Sequence, residues 1–168
     1  MLRVDPLANP EPLIRRVYAY VAYRIGDGPD AEDITSETFE RALRYKKSYD
    51  SGKGEPVAWL IGIARRRIEG RPPTLEISSE QLEAVDHRDL EDDALRRIAL
   101  SGAVGRLEER DRELIALRYG ADLTARQIAE LQGSKTNAVE VALHRALARL
   151  RIHFEGEEPG VRKSRVQQ

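Results

Sequence analysis

The stretch TARQIAELQGSKTNAVEVALHRALARL, residues 124–150, decides the fold. Thr124 followed three residues later by Gln127 is a capping box, the reciprocal arrangement that satisfies orphan N–H groups at a helix start. Ile128 and Leu131 share one face of that helix, and Gly133 is placed to stop it. After a short turn, Val139, Leu143, Ala146, Leu147 and Leu150 recur at helical spacing and mark a longer second helix. Two helices joined by a tight Gly-containing turn form a helix-turn-helix pattern. Helical hairpins that never touch DNA share this pattern, so both readings stand on this stretch alone. With Val139 and Leu150 inward, about 100° per residue turns Asn137, Val141, His144, Arg145 and Ala148 outward, flanked by Glu140 and Arg151. Asn137 and Arg145 can hydrogen-bond base edges or phosphates, and Val141 and Ala148 can meet thymine methyls.

The same periodicity extends over the rest of the chain. Leu13, Val17 and Val21, with Ile14, Tyr18 and Ile25 beside them, predict a helix over 12–25, broken at Gly26-Asp27-Gly28-Pro29. A second helix is expected to run from Asp30, as its cap, to about Lys47, with Ile34, Thr38, Phe39, Ala42 and Leu43 inward. Pro56 opens a third, striped by Val57, Leu60, Ile61, Ala64 and Ile68. Leu95, Ile98, Val104 and Leu107 predict a helix over 92–107, and Leu114, Ile115 and Leu117 another. The fold class is therefore all-α: two small helical domains joined by an acidic linker, the second containing the helix-turn-helix.

Composition narrows the function. The 168 residues contain no Cys, which excludes disulfides, thiolate–metal sites and cysteine nucleophiles and suits a reducing compartment. No apolar run approaches the roughly 20 residues of a membrane span, and the N-terminus lacks a signal peptide's apolar stretch, so a cytoplasmic protein is expected. The net charge of −1 averages +2 over residues 1–68, −5 over 69–99 and +2 over 100–168. Nucleic-acid binding must therefore come from local clusters or a partner. One cluster is Arg44-Tyr45-Lys46-Lys47-Ser48-Tyr49, and another is Arg65-Arg66-Arg67 after Trp59. Cations neutralise phosphates and flat rings receive unstacked bases, as melted DNA requires. Trp59 lies beside Ile63 and reads first as core, whereas Tyr49 sits in a Gly-rich loop. No phosphate loop, paired His, nucleophile next to a base or metal-ligand spacing is present, so neither catalysis, cofactor nor metal is expected. Residues 70–93 read as a solvated linker or as an acidic strand that docks in a basic groove.

Together these residues resemble the extracytoplasmic-function sigma factors, small two-domain promoter-recognition subunits of bacterial RNA polymerase. The first anchor is Asp30-Ala31-Glu32-Asp33-Ile34, then Glu37-Thr38-Phe39 and Ala42-Leu43. The resemblance implies that Asp30, Glu32, Asp33, Glu37 and Phe39 meet the clamp of the polymerase's largest subunit. Tyr49-Asp50, Gly54, Ala58-Trp59-Leu60 and Ile63-Ala64-Arg65 resemble the segment that melts and reads the minus-ten element. It would use Arg44, Lys46, Lys47, Tyr49, Trp59, Arg65 and Arg66. Arg112-Glu113, Leu117-Arg118-Tyr119, Ile128-Ala129-Glu130-Leu131 and Leu143-His144-Arg145-Ala146 resemble the domain that reads the minus-thirty-five element. There Thr124, Thr136, Asn137, Glu140, Val141, His144 and Arg145 are the expected contacts. The implied layout is region 2 over 10–69, linker 70–91, region 4 over 92–152 and a disordered tail 153–168.

The implied partners are core RNA polymerase, through its clamp and the second-largest subunit's flap, promoter DNA, and an anti-sigma factor that can hold the chain at the membrane without insertion. Departures are Glu108 for a common Pro, Lys135 for a small capping residue (Ser134 or Thr136 can cap instead), and Glu140-Val141-Ala142 where basic and hydroxyl side chains are common. Two alternatives stay open: a stand-alone helix-turn-helix regulator, and a sigma-derived protein-interaction module, the latter suggested by Glu140 and Val141.

Overall fold

Proline opens the first three helices of a computed structural model that describes residues 4–71 and 100–156. Helix α1 spans Pro10–Ile25, α2 Pro29–Arg44 and α3 Pro56–Glu69. Proline's fixed φ suits a first helical turn, where its missing N–H is no loss. Because α2 starts at Pro29, Gly28 takes the cap position, with φ 136°, and Asp30 is not the cap that the sequence suggested. Its carboxylate instead pairs with Arg71 at 3.2 Å. Helix α2 also ends earlier than expected, at Arg44, and Lys46–Ser48 form a separate 3-10 turn.

In the second unit, residues 100–106 are helical and are labelled α4. The expected start of this helix and the acidic linker reading lie outside the described residues. Arg112 closes the end of α4 by donating to the Gly105 and Leu107 carbonyls, both at 2.9 Å. Helix α5, Glu109–Ile115, runs into a π-helical turn, Ala116–Gly120. Helix α6 covers Ala125–Gln132 and α7 Thr136–Glu155. The capping box forms as expected: Gln127 N–H donates to Thr124 Oγ1 at 3.2 Å, and Thr124 N–H to Gln127 Oε1 at 2.9 Å. Gly133 ends α6 at φ 64°, a left-handed conformation that glycine adopts without a Cβ penalty. Lys135 holds the N-cap of α7, and neither Ser134 nor Thr136 supplies a side-chain cap. Residues 153–155, expected in the tail, belong to α7.

In the first unit Val17, Val21, Ile34, Ala42, Val57, Leu60, Ile61 and Ala64 are buried among α1, α2 and α3. Leu43 departs from expectation and is 62% exposed. Nine residues beyond Ile34 place it about 180° around α2, whereas Ala42 falls about 80° away and stays on the buried arc. Among the described residues no strand occurs.

The two units are not merely tethered. Their apolar side chains form one cluster in which Val17, Val21 and Ile61 are continuous with Leu114, Leu117, Leu123 and Ile128. The seam between them is α1 against α5 and the π-helical turn. Backbones approach so closely that a Cβ on Gly120 would stand 2.8 Å from the N and Cα of Tyr20. Arg16 of α1 donates from Nε to the Ala121 carbonyl at 2.7 Å and from Nη2 to that of Asp122 at 3.1 Å. Deeper in the seam, Glu113 accepts from the Tyr20 hydroxyl at 2.9 and 3.0 Å and pairs with Arg24. Tyr20 is fully buried, Arg24 8% exposed and Glu113 6% exposed. Two opposite charges this deep are tolerated because each is paired and their hydrogen-bonding atoms are occupied.

Candidate functional site

Three surfaces carry the residues singled out in the sequence. The first is the start of α2. Asp30, Glu32 and Asp33 are solvent-exposed there, where the helix dipole favours carboxylates. Glu37 is half-buried and accepts from Arg67 Nε at 2.7 Å, so its charge is already compensated within the chain. Phe39 is partly buried and packs on the core.

The second surface joins the end of α2 to α3. The Tyr49 hydroxyl donates to the Gly54 carbonyl at 2.9 Å, folding the loop back on itself. Its ring lies 5.4 Å from that of Trp59, tilted by 55°. Burial raises the Tyr49 phenol above its ordinary pKa, and the Glu55 and Asp50 charges add to the shift. Trp59 is partly buried against the core, which satisfies the structural reading without removing the ring from the surface. Arg44, Lys47 and Arg66 are exposed. Lys46 is bonded to Asp5 at 2.6 Å. Arg65 is drawn away, to Glu69 at 3.3 Å and across the seam to Glu113 at 3.6 Å. The fold thus pairs two aromatic rings in the first unit, which also exposes Arg44, Lys47 and Arg66.

The third surface is the outward face of α7. Asn137, Glu140, Val141, His144, Arg145, Ala148 and Arg151 are all exposed, while Val139, Leu143 and Ala146 are buried. Val141 is an apolar side chain that stands 50% exposed on this face. Thr136 stands at the first position of α7, partly buried, and the exposed Thr124 hydroxyl is engaged by the α6 cap. The helix therefore presents a mixed polar and apolar ridge of the kind a major groove admits.

Two family descriptions match the chain in the expected order: Sigma-70 region 2 over residues 11–69 and Sigma-70 region 4 over residues 97–150. The ECF RNA polymerase sigma factor BldN of Streptomyces coelicolor is 34% identical over 143 residues, 80% of this chain and 54% of that relative. This chain belongs to the extracytoplasmic-function sigma factors. SigK of Mycobacterium ulcerans is 28% identical over 146 residues, 81% of this chain and 78% of the relative. The chain thus spans about half the length of BldN and about four fifths of this SigK. A solved structure of the sigma factor RpoE with the anti-sigma factor NepR, from Bartonella quintana, has a TM-score of 0.62 and 18% identity. The match covers 86% of this chain and 93% of that one, so the likeness in fold takes in both units.

Membership of both regions sets aside the stand-alone helix-turn-helix regulator and the interaction module. Among the described residues of this sigma factor, no helix is long and apolar enough to cross a membrane. No group of His, Cys, Asp and Glu among them could hold a metal ion. The residues that sequence reasoning missed are those of the seam: Arg16, Tyr20, Arg24 and Gly120, with Glu113 noted only as part of the region 4 resemblance. A glycine inside a helical run was the available signal, since it marks close backbone approach when no turn requires it.

Proposed function

We propose that this sigma factor directs core RNA polymerase to specific promoters and assists strand opening at initiation. The observation that carries this reading is the ordered pair of regions, with the exposed outward face of α7 in the second. In this role the chain performs no covalent chemistry. Asp30, Glu32 and Asp33 offer an acidic helix start to a basic surface of the polymerase clamp. Lys47, Arg44 and Arg66 neutralise phosphates of the minus-ten strand, and Tyr49 beside Trp59 gives an unstacked base a ring to lie against. Asn137, His144 and Arg145 read the minus-thirty-five element from the major groove, while Val141 makes apolar contact with thymine methyls.

A net charge of −1 makes tight binding to duplex by the isolated chain unfavourable, so promoter recognition is expected only in company with the polymerase. An anti-sigma factor would act by covering the same surfaces. Run-off transcription with purified core polymerase, over a library of promoters, tests the proposal. Sigma-dependent transcripts with defined start points are expected. Absence of any such product, with the chain folded and core polymerase active with another sigma factor, overturns it.

A further inference from the structure

The matched Sigma-70 region 2 begins at residue 11, yet the residues just before it are built onto the first unit. Asp5 makes the bond that short acidic side chains favour in turns, its Oδ1 accepting from Leu7 N–H at 2.9 Å. Its carbonyl accepts from Ala8 N–H at 3.3 Å. Pro6 is buried, and Leu7 packs on the apolar cluster. The turn is thus anchored by its apolar residues, and it fixes where the carboxylate stands.

That carboxylate is set on one of the cations that the sequence offered to the minus-ten element. Asp5 Oδ2 accepts from Lys46 Nζ at 2.6 Å, across 41 positions of chain, and both side chains are partly exposed. Lys46 opens the 3-10 turn that leads to Tyr49. Tyr49 N–H donates to the Lys46 carbonyl at 3.3 Å, and its ring faces Trp59. The Lys46 bond, then the Leu7 amide, holds the Asp5 carboxyl below its ordinary pKa, so it is charged at neutral pH. An ammonium has three donors, so the bond alone does not exhaust Lys46. The charge does more. A phosphate drawn to Lys46 meets a carboxylate 2.6 Å from the same nitrogen, far inside the roughly 8–10 Å over which salt screens. A lysine already balanced in this way also displaces fewer of the counterions condensed on DNA.

Resting on the sigma-factor reading, we propose that Asp5 stands in for a DNA phosphate on Lys46, so that the turn at residues 5–8 withholds this cation from the minus-ten strand and limits how tightly the strand is held. Contacts to phosphate carry no sequence information. Asp5 therefore lowers the sequence-independent part of binding and leaves the reading of bases to Tyr49 and Trp59.

The test uses the full chain, assembled with core polymerase on a promoter recovered by run-off transcription. Asp5→Asn keeps an oxygen for the Leu7 amide and removes the charge. It should tighten promoter binding about two- to fivefold at about 50 mM salt, the worth of one exposed pair. It should also steepen the fall of log affinity with log salt by about one between about 50 and 200 mM. Lys46→Gln should lessen that slope by about one in the Asp5→Asn background and by clearly less in the otherwise unaltered chain. A turn with a merely structural role would shift the thermal midpoint and leave the slope alone. Affinity and slope unmoved or lowered by Asp5→Asn overturn the proposal, as do equal effects of Lys46→Gln in both backgrounds. Failure of the unaltered chain to bind core polymerase counts instead against the sigma-factor reading. The same variants titrated against a fluorescent single-stranded oligonucleotide at low salt then judge Asp5 and Lys46 by the same slopes.

Discussion

Replacing Glu113 with Gln keeps the shape of the side chain and removes its charge. In the native chain this carboxylate faces the Tyr20 hydroxyl, the Arg24 guanidinium and, at 3.6 Å, Arg65. Arg24 would keep its positive charge at 8% exposure. Removing one partner of a buried ion pair costs about 3–5 kcal/mol, because the other charge stays buried and uncompensated. Two features reduce that figure here. The glutamine amide oxygen can still accept from Tyr20, and Glu109 lies 3.2 Å from Arg24 as a second, solvated carboxylate. The expected loss is therefore about 2–3 kcal/mol. Urea unfolding of the full chain, followed by circular dichroism, measures it directly. The double variant Arg24→Gln with Glu113→Gln should be markedly less unstable than the sum of the single changes, since the second removes the charge that the first leaves stranded. A loss below about 0.5 kcal/mol, the value of a solvated pair, would refute the argument that this cluster is desolvated.

Thr124→Ala removes the hydroxyl that caps α6 and should cost about 1 kcal/mol, read as a lower thermal midpoint; an unchanged midpoint would show the box to be idle. Arg145→Ala should weaken promoter binding by the polymerase complex by about 1–3 kcal/mol while leaving affinity for core polymerase alone unaltered. An unchanged footprint over the upstream element would remove Arg145 from the reading face. Alkaline pH should unfold the chain. Burial, then the hydrogen bond to Asp27, pushes the Tyr18 phenol up to about 12, and burial with the Glu113 charge pushes Tyr20 up as well. Both folded values lie above the unfolded one, so their stabilising effect is fully present below about pH 10 and falls as pH rises beyond it, for Tyr18 through about 12. Stability that stays flat from pH 9 to 12 by equilibrium denaturation would contradict this. Tyr18→Phe should lessen the alkaline loss.

Much of each unit was legible from side-chain period and helix-end chemistry. Thr124, Gln127 and Gly133 specify the start and stop of α6 by local hydrogen bonding, and Pro56 opens α3, so short-range physics suffices there. The misreadings share a cause. Asp30 is a good capping residue, but Pro29 already begins the helix and leaves that position to Gly28. Leu43 is apolar, yet it sits opposite the stripe that α1 and α3 cover. The seam could not be read at all, because Arg24 and Glu113 are separated by 89 positions and each alone looks like an ordinary solvated charge. Hydrophobic period reports which face is buried, not which distant residue completes a charge pair. For the site, the outward face of α7 followed from helix geometry. The engagement of Arg65 and Glu37 by Glu113 and Arg67 depends on tertiary placement.

The shared Tyr20–Arg24–Glu113 cluster also restricts how such chains can be recombined. A chimera that grafts the second half of a relative onto this first half would leave Arg24 facing whatever stands at position 113. Unless a carboxylate travels with the graft, and a glycine at 120 with it, the hybrid would inherit two intact halves and lose the packing that joins them.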